Sequence, residues 1–151
     1  MRTWLRLLRI PWLLLCPWTP LLAAPGPEAA EPSAVFDSLE AAWGRGDVRG
    51  VVALLGERKV SIALPELEPA AGSFSPRQSR CILEAHFARH RVLQFQFLDR
   101  RPPDAGRPLA VALAIRRYRA LGSGPVLQDR VLVMLVREES RWVLGEITAL
   151  R

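Results

Sequence analysis

An α+β fold is predicted by two features of the 151-residue chain. Apolar residues in the first half recur at helical spacing in three separate segments, and those in the second half alternate with period two along several long runs. A third feature bounds the answer. Half the residues are hydrophobic and 24% are charged, so one domain with a packed core is expected and global disorder is not.

The first nine residues, MRTWLRLLR, hold Arg2, Arg6 and Arg9 and no acid. An apolar run from Ile10 to Ala24 follows, broken by Pro11, Pro17, Thr19 and Pro20, and then Ala23-Ala24-Pro25-Gly26. A basic start, a short apolar stretch and a small-residue end describe a secretory signal peptide over residues 1–24. A membrane span needs about 20 apolar residues, and the prolines interrupt this one. A lipoprotein reading would use Cys16, but Leu13-Leu14-Leu15 places bulky leucine where such signals want a small residue. The chain is therefore expected to be exported, periplasmic or extracellular, with membrane contact only through the signal peptide. Loss of residues 1–24 lowers the formal net charge from +6 to +3, leaving 18 basic against 15 acidic residues. Cys81 then stands as the sole cysteine, and its apolar neighbours predict burial.

Residues 25–33, PGPEAAEPS, read as a flexible linker, and 34–151 as the single domain. Ser33 is expected to cap a helix from Ala34 to about Arg45, with Val35, Phe36, Leu39, Ala42 and Trp43 as its apolar stripe. Gly44 and Gly46 stop it, Asp47 caps a second helix, and Gly56 ends that one. Val60, Ile62 and Leu64 alternate with polar or small residues in a strand ended by Pro65. Residues 65–73 are loop-like, and Gly72-Ser73-Phe74 adds a short strand. Ser75-Pro76-Arg77-Gln78 forms a capping box opening a third helix to about His90, with Ile82, Leu83, Ala85, His86 and Phe87 on its inner side. Strands follow around Leu93–Phe97, from Leu109 to Arg119, from Val126 to Arg137, and from Trp142 to Leu150.

This order, with several local motifs, resembles the cone-shaped fold of the nuclear-transport-factor-like superfamily. The motifs are Phe36-Asp37-Ser38-Leu39 with Gly46-Asp47, Lys59-Val60-Ser61-Ile62, Phe74-Ser75-Pro76-Arg77-Gln78-Ser79, Arg141-Trp142-Val143-Leu144 and Glu146-Ile147. They are most similar to an uncharacterised bacterial exported branch, domain of unknown function 4783. The resemblance covers about residues 33–151. It implies three helices packed in the concave face of a strongly curved, mostly antiparallel sheet. It implies no activity, because the superfamily holds isomerases, dehydratases and many non-enzymes.

In such a fold a pocket would be lined by the concave sheet face and the third helix. The polar residues expected there, as ligand-binding candidates, are His86, Arg116, Tyr118, Asp129 and Glu146. An isomerase-type site needs a carboxylate base and a Tyr or protonated acid as oxyanion donor, types that Tyr118 with Asp129 or Glu146 supply. A dehydratase-type site needs a His–Asp pair, here His86 with Asp129. Each residue also has an ordinary structural role: Tyr118 as a rim anchor, His86 as a helix-face histidine, Asp129 as an exposed cross-strand charge.

Other functions find less in the sequence. His86 and His90 have the i, i+4 spacing of metal ligands, but no third ligand is evident and Arg89 and Arg91 flank them; no metal is expected. No cofactor motif is present. Arg100-Arg101 and Arg116-Arg117-Tyr118-Arg119 are basic, yet an exported chain at +3 is not expected to bind nucleic acid.

The central strands are apolar on both faces. Leu109, Val111, Leu113 and Ile115 oppose Ala110, Ala112 and Ala114; Val131, Val133 and Leu135 oppose Leu132, Met134 and Val136. Helices cover one face, and the other needs a partner. A homodimer through the convex sheet face is expected, unless the N-terminal segment or first helix covers it. The sequence thus reads as an exported, non-enzymatic binding or accessory module with a small pocket. The alternative is a small pocket enzyme of isomerase or dehydratase type using Tyr118, Asp129 and His86.

Overall fold

A computed structural model describes residues 31–103, 106–122 and 124–150. The predicted leader and most of the predicted linker lie outside the described residues. Three helices, α1 (Pro32–Gly44), α2 (Val48–Val52) and α3 (Pro76–Arg89), accompany six strands. The strands are β1 (Val60–Ala63), β2 (Ala71–Phe74), β3 (His90–Arg101), β4 (Leu109–Ala120), β5 (Leu127–Glu138) and β6 (Arg141–Leu150). They form one sheet in the order β2-β1-β6-β5-β4-β3, antiparallel except where β1 runs parallel to β6. The helices pack on one face of this sheet, so the α+β architecture is as the sequence predicts.

Cap chemistry explains two of the three helix starts. Ser75 Oγ accepts from Gln78 N–H while Gln78 Oε1 accepts from Ser75 N–H, the reciprocal box expected at α3. Asp47 Oδ1 accepts from Gly50 N–H at α2. Helix α1 differs from expectation. Proline is preferred in the first helical turn, so Pro32 opens α1, Glu31 becomes the N-cap without a side-chain bond, and Ser33 falls inside. Replacing Ser75 with Ala is expected to cost about 1 kcal/mol by urea unfolding.

The concave face of the sheet holds the core. On β4 the buried side is the alanine row, Ala110, Ala112 and Ala114, continued by Arg116 and Tyr118. Their small size leaves space above the sheet, and aromatic rings fill it. Trp43 stacks on Phe95 at 5.2 Å, Phe36 meets Phe97 edge-on at 5.0 Å, and Phe95 meets Phe97 at 5.5 Å. Val131, Val133 and Leu135 of β5 and Leu144 and Ile147 of β6 complete the floor.

Bulges bend the strands and re-aim side chains. One between Val92 and Gln94 pushes Leu93 off the Phe95–Phe97 face, where it is exposed. Another sets Leu144 opposite Leu135 but Glu146 opposite Met134, with Gly145 as the extra residue. Only glycine fits there, since an added Cβ would lie 2.9 Å from a Val136 methyl. On α3 the buried row is Ser79, Leu83 and His86; Ala85 and Cys81 are exposed. The predicted burial of Cys81 is corrected by helical geometry: two residues beyond Ser79 is about 200° around the axis, on the opposite side.

Candidate functional site

The concave sheet face ends, on the α3 side, in a buried polar cluster. Arg116 is its centre and is completely buried. The cross-strand pairing of Arg116 with Asp129 puts both side chains on the same face. Asp129 accepts two hydrogen bonds, from Nε at 3.0 Å and from Nη2 at 2.5 Å, a bidentate fork. Glu66 accepts from Nη1, and from Nη2 at 3.3 Å. The guanidinium also lies 4.3 Å from the centre of the Tyr118 ring, and Tyr118 Oη donates to Glu66 at 3.4 Å.

His86 enters from α3. Its Nδ1 is 3.5 Å from Glu66 Oε1, and neither ring nitrogen has a hydrogen-bond partner among the described residues. The ring stacks on His90 at 4.9 Å and meets Tyr118 edge-on at 6.3 Å. His90 Nδ1 contacts the His86 carbonyl. Beside this group lies a small cleft of about 120 Å³ lined by Glu66, Leu67, Glu68, Ile82, Ala85, His86, Arg89 and His90.

The charges follow from these contacts. Burial works against the Arg116 cation, but Asp129 and Glu66 hold its pKa above the ordinary value. Burial pushes the Glu66 carboxyl up, and the hydrogen bonds and charge of Arg116 outweigh it, so the group sits below its usual range. Burial pushes His86 down to about 4, against the pull of Glu66 and with a further push from Arg116 and His90. Burial raises the Tyr118 phenol, with Arg116 opposing. At neutral pH the centre holds a fixed cation, an ionised Glu66, a neutral imidazole and a neutral phenol.

Of the five residues expected at a pocket, the fold brings four together: His86, Arg116, Tyr118 and Asp129. Glu146 is not among them, and that expectation is corrected. The Gly145 bulge turns Glu146 to the convex face, where Thr148 Oγ1 donates to it at 2.8 Å. Glu66, absent from the sequence reading, takes the place of the connecting acid. It stands in the loop between β1 and β2, where the Leu64–Leu67 turn and buried Leu67 aim it inward. The Leu64-Pro65-Glu66-Leu67 spacing, a single acid between two apolar anchors, was the available signal. His86 and Asp129 do not form a pair; Arg116 stands between them through Glu66. Among the described residues no group of three or more His, Cys, Asp or Glu is placed to hold a metal ion. No described helix is long and apolar enough to cross a membrane.

No protein-family model matches the chain, and no curated protein does. Solved structures do. A domain-of-unknown-function-4783 protein from Bacteroides ovatus superposes with a TM-score of 0.58 at 13% identity, over 74% of this chain and 90% of that one. A Pseudomonas putida protein assigned as a polyketide cyclase gives 0.60 at 14% identity, over 82% and 92%. A Streptomyces avermitilis protein assigned as a dehydratase of the nuclear-transport-factor-like family gives 0.56 at 15% identity, over 79% and 92%. The resemblance in the sequence is thus matched in three dimensions: the chain has the cone-shaped fold of the nuclear-transport-factor-like superfamily, with proteins of domain of unknown function 4783 among its structural neighbours.

Proposed function

We propose that this protein is an exported, non-enzymatic binding or accessory module that pairs with a second copy through its convex sheet face. The observation that carries the reading is the filled cone. Pocket enzymes need room for a substrate over the concave sheet, and here Trp43, Phe36, Phe95 and Phe97 occupy that space. The polar cluster supports the same reading, since Arg116 is spent on Glu66 and Asp129 rather than held free for a ligand. A histidine at about 4 is also a weak base near neutral pH. Export rests on the leader pattern of residues 1–24 alone.

The dimer rests on the outer row of the sheet. Leu109, Val111, Leu113, Ile115, Leu132, Met134 and Val136 are only half-buried, while all three helices lie on the other face. Helix α1 does not cover the row, because its apolar stripe packs into the concave core. Leu113 and Leu132 are cross-strand neighbours at its centre. Native mass spectrometry of protein purified from its own cell envelope tests both parts. A processed dimer is expected, turning monomeric when Leu113 and Leu132 are both changed to Glu. An unprocessed monomer would overturn the reading.

One observation favours the enzyme alternative: Tyr118, His86 and Asp129 do converge around Glu66 and Arg116. Small-molecule extracts incubated with the protein would then change composition, and a Tyr118→Phe variant would leave them unchanged.

A further inference from the structure

The end of the sheet at the β4–β5 turn carries two features left over from the packing of the fold. The first is apolar. Leu121-Gly122-Ser123-Gly124-Pro125-Val126-Leu127 holds no charged residue. Leu121 is 63% exposed, Val126 48% and Leu127 45%, three large apolar side chains on one turn. Single apolar residues scattered over a surface are ordinary, whereas a cluster marks a contact site. The turn is tied to the body of the domain, since Leu121 N–H donates to the Arg89 carbonyl at 2.8 Å.

The second feature is cationic. Tyr118 faces inward, so strand alternation puts Arg117 and Arg119 on the convex face. Arg91 of β3 is directly opposite Arg119, and Arg130 of β5 is opposite the outward-facing Ile115. Four guanidinium groups therefore share one end of one face. Arg91 and Arg119 form a like-charge cross-strand pair, which disfavours the sheet unless an anion answers it. None of the four makes an ion pair among the described residues. Asp129 adjoins Arg130 in the chain but points inward, where Arg116 holds it. The convex-face carboxylates stand further along the strands. Asp99 is level with Leu113, four residues from Arg117, and Glu146 is level with Met134, four residues from Arg130, or roughly 13 Å in each case at strand rise. That exceeds the screening length of about 8 Å in physiological salt.

We propose that this end of the sheet is a peripheral membrane contact that takes the surface of a bilayer containing anionic phospholipid. Leu121, Val126 and Leu127 enter between the headgroups, and Arg91, Arg117, Arg119 and Arg130 meet the phosphates behind them. A soluble polyanion would answer the arginines and leave the apolar turn in water; a bilayer satisfies both. The contact depends on neither the leader nor dimerisation, because it lies on the turn side of the Leu113–Leu132 centre and needs no second copy.

Hydrogen exchange of the full chain with and without vesicles tests the assignment. Exchange is read at the turn itself, because an apolar leader such as residues 1–24 would carry the chain onto any bilayer. Vesicles of phosphatidylethanolamine with about one quarter phosphatidylglycerol should slow the amides of Leu121, Val126 and Leu127 by about fivefold or more, and added salt should weaken the effect. Phosphatidylcholine vesicles should leave these rates within about twofold of those in buffer. Two double variants, Arg117→Gln with Arg119→Gln and Leu121→Ser with Val126→Ser, alter side chains outside the core and should keep the wild-type unfolding midpoint. Each should abolish the slowing. Three results would each overturn the proposal: unchanged exchange on the anionic vesicles, equal slowing on the two vesicle types, or slowing that both double variants retain. Dextran sulfate that slows the same amides where anionic vesicles do not would assign the patch to a soluble polyanion instead.

Discussion

Replacing Arg116 with Met is expected to remove about 3–5 kcal/mol of stability, the largest effect of any single substitution in this domain. The reason lies in what remains. Glu66 and Asp129 stay in place with side chains only 9% and 17% exposed, and the cation that faced both is gone. Two carboxylates are then left with the Tyr118 hydroxyl and the neutral His86 ring as their polar neighbours among the described residues. In a domain of this size the midpoint of thermal unfolding should drop by roughly 10–20 °C. Glu66→Gln alone should cost less, about 1–2 kcal/mol, because the bidentate Asp129 fork survives. Adding Glu66→Gln and Asp129→Asn to Arg116→Met should return more than half the loss, since the stranded charges disappear with their partner. Urea unfolding of the three variants gives the comparison. An Arg116→Met midpoint within about 1 kcal/mol of wild type would show that the cluster does not brace the fold.

How far such a cluster can be read from sequence depends on which part of it is local. The alternation of β4 puts Arg116 and Tyr118 on the alanine side, and that side proved to be the inner one. The period of two carries this information by itself. The capping box of α3 fixes where that helix begins, and so which of its residues turn inward: Ser79, Leu83 and His86. Glu66 was illegible for a different reason. It lies in a loop, where no periodicity assigns a direction, and its partner Arg116 is 50 residues away. Bulges defeat periodicity in the same way. Counting by twos from Leu144 puts Glu146 inside; the extra Gly145 puts it outside. A hollow lined by Phe36, Arg100 and Trp142 was out of reach too, since these residues belong to three elements that only the closed fold brings together.

Acid should weaken the fold well above the usual carboxylate range, and His86 is the group responsible. In the folded chain burial holds its pKa at about 4; in the unfolded chain it returns to about 6.5. Between those values the unfolded state binds a proton that the folded state refuses. Stability therefore falls as pH drops from 6.5 toward 4, and it is recovered above 6.5. The full window is worth about 3 kcal/mol, and the part between pH 7 and pH 5 about 2 kcal/mol. Glu66 acts in the same direction in a lower window. Its folded pKa lies below the ordinary carboxylate value, so its contribution is present above that value and is lost as pH falls through the folded one. Urea unfolding at pH 7.5, 6, 5 and 4.5 should trace the His86 window before Glu66 enters. A His86→Phe variant keeps a ring against Trp43, Phe87 and Tyr118 but carries no proton, so its curve should be flat down to about pH 5. Where that variant folds poorly, the imidazole signals of the wild-type protein give the same answer, since His86 should remain neutral at pH 5. A wild-type midpoint unchanged between pH 7.5 and 5, or a His86 ring protonated at pH 6, would mean that water reaches the ring and that the cluster is open to solvent rather than sealed.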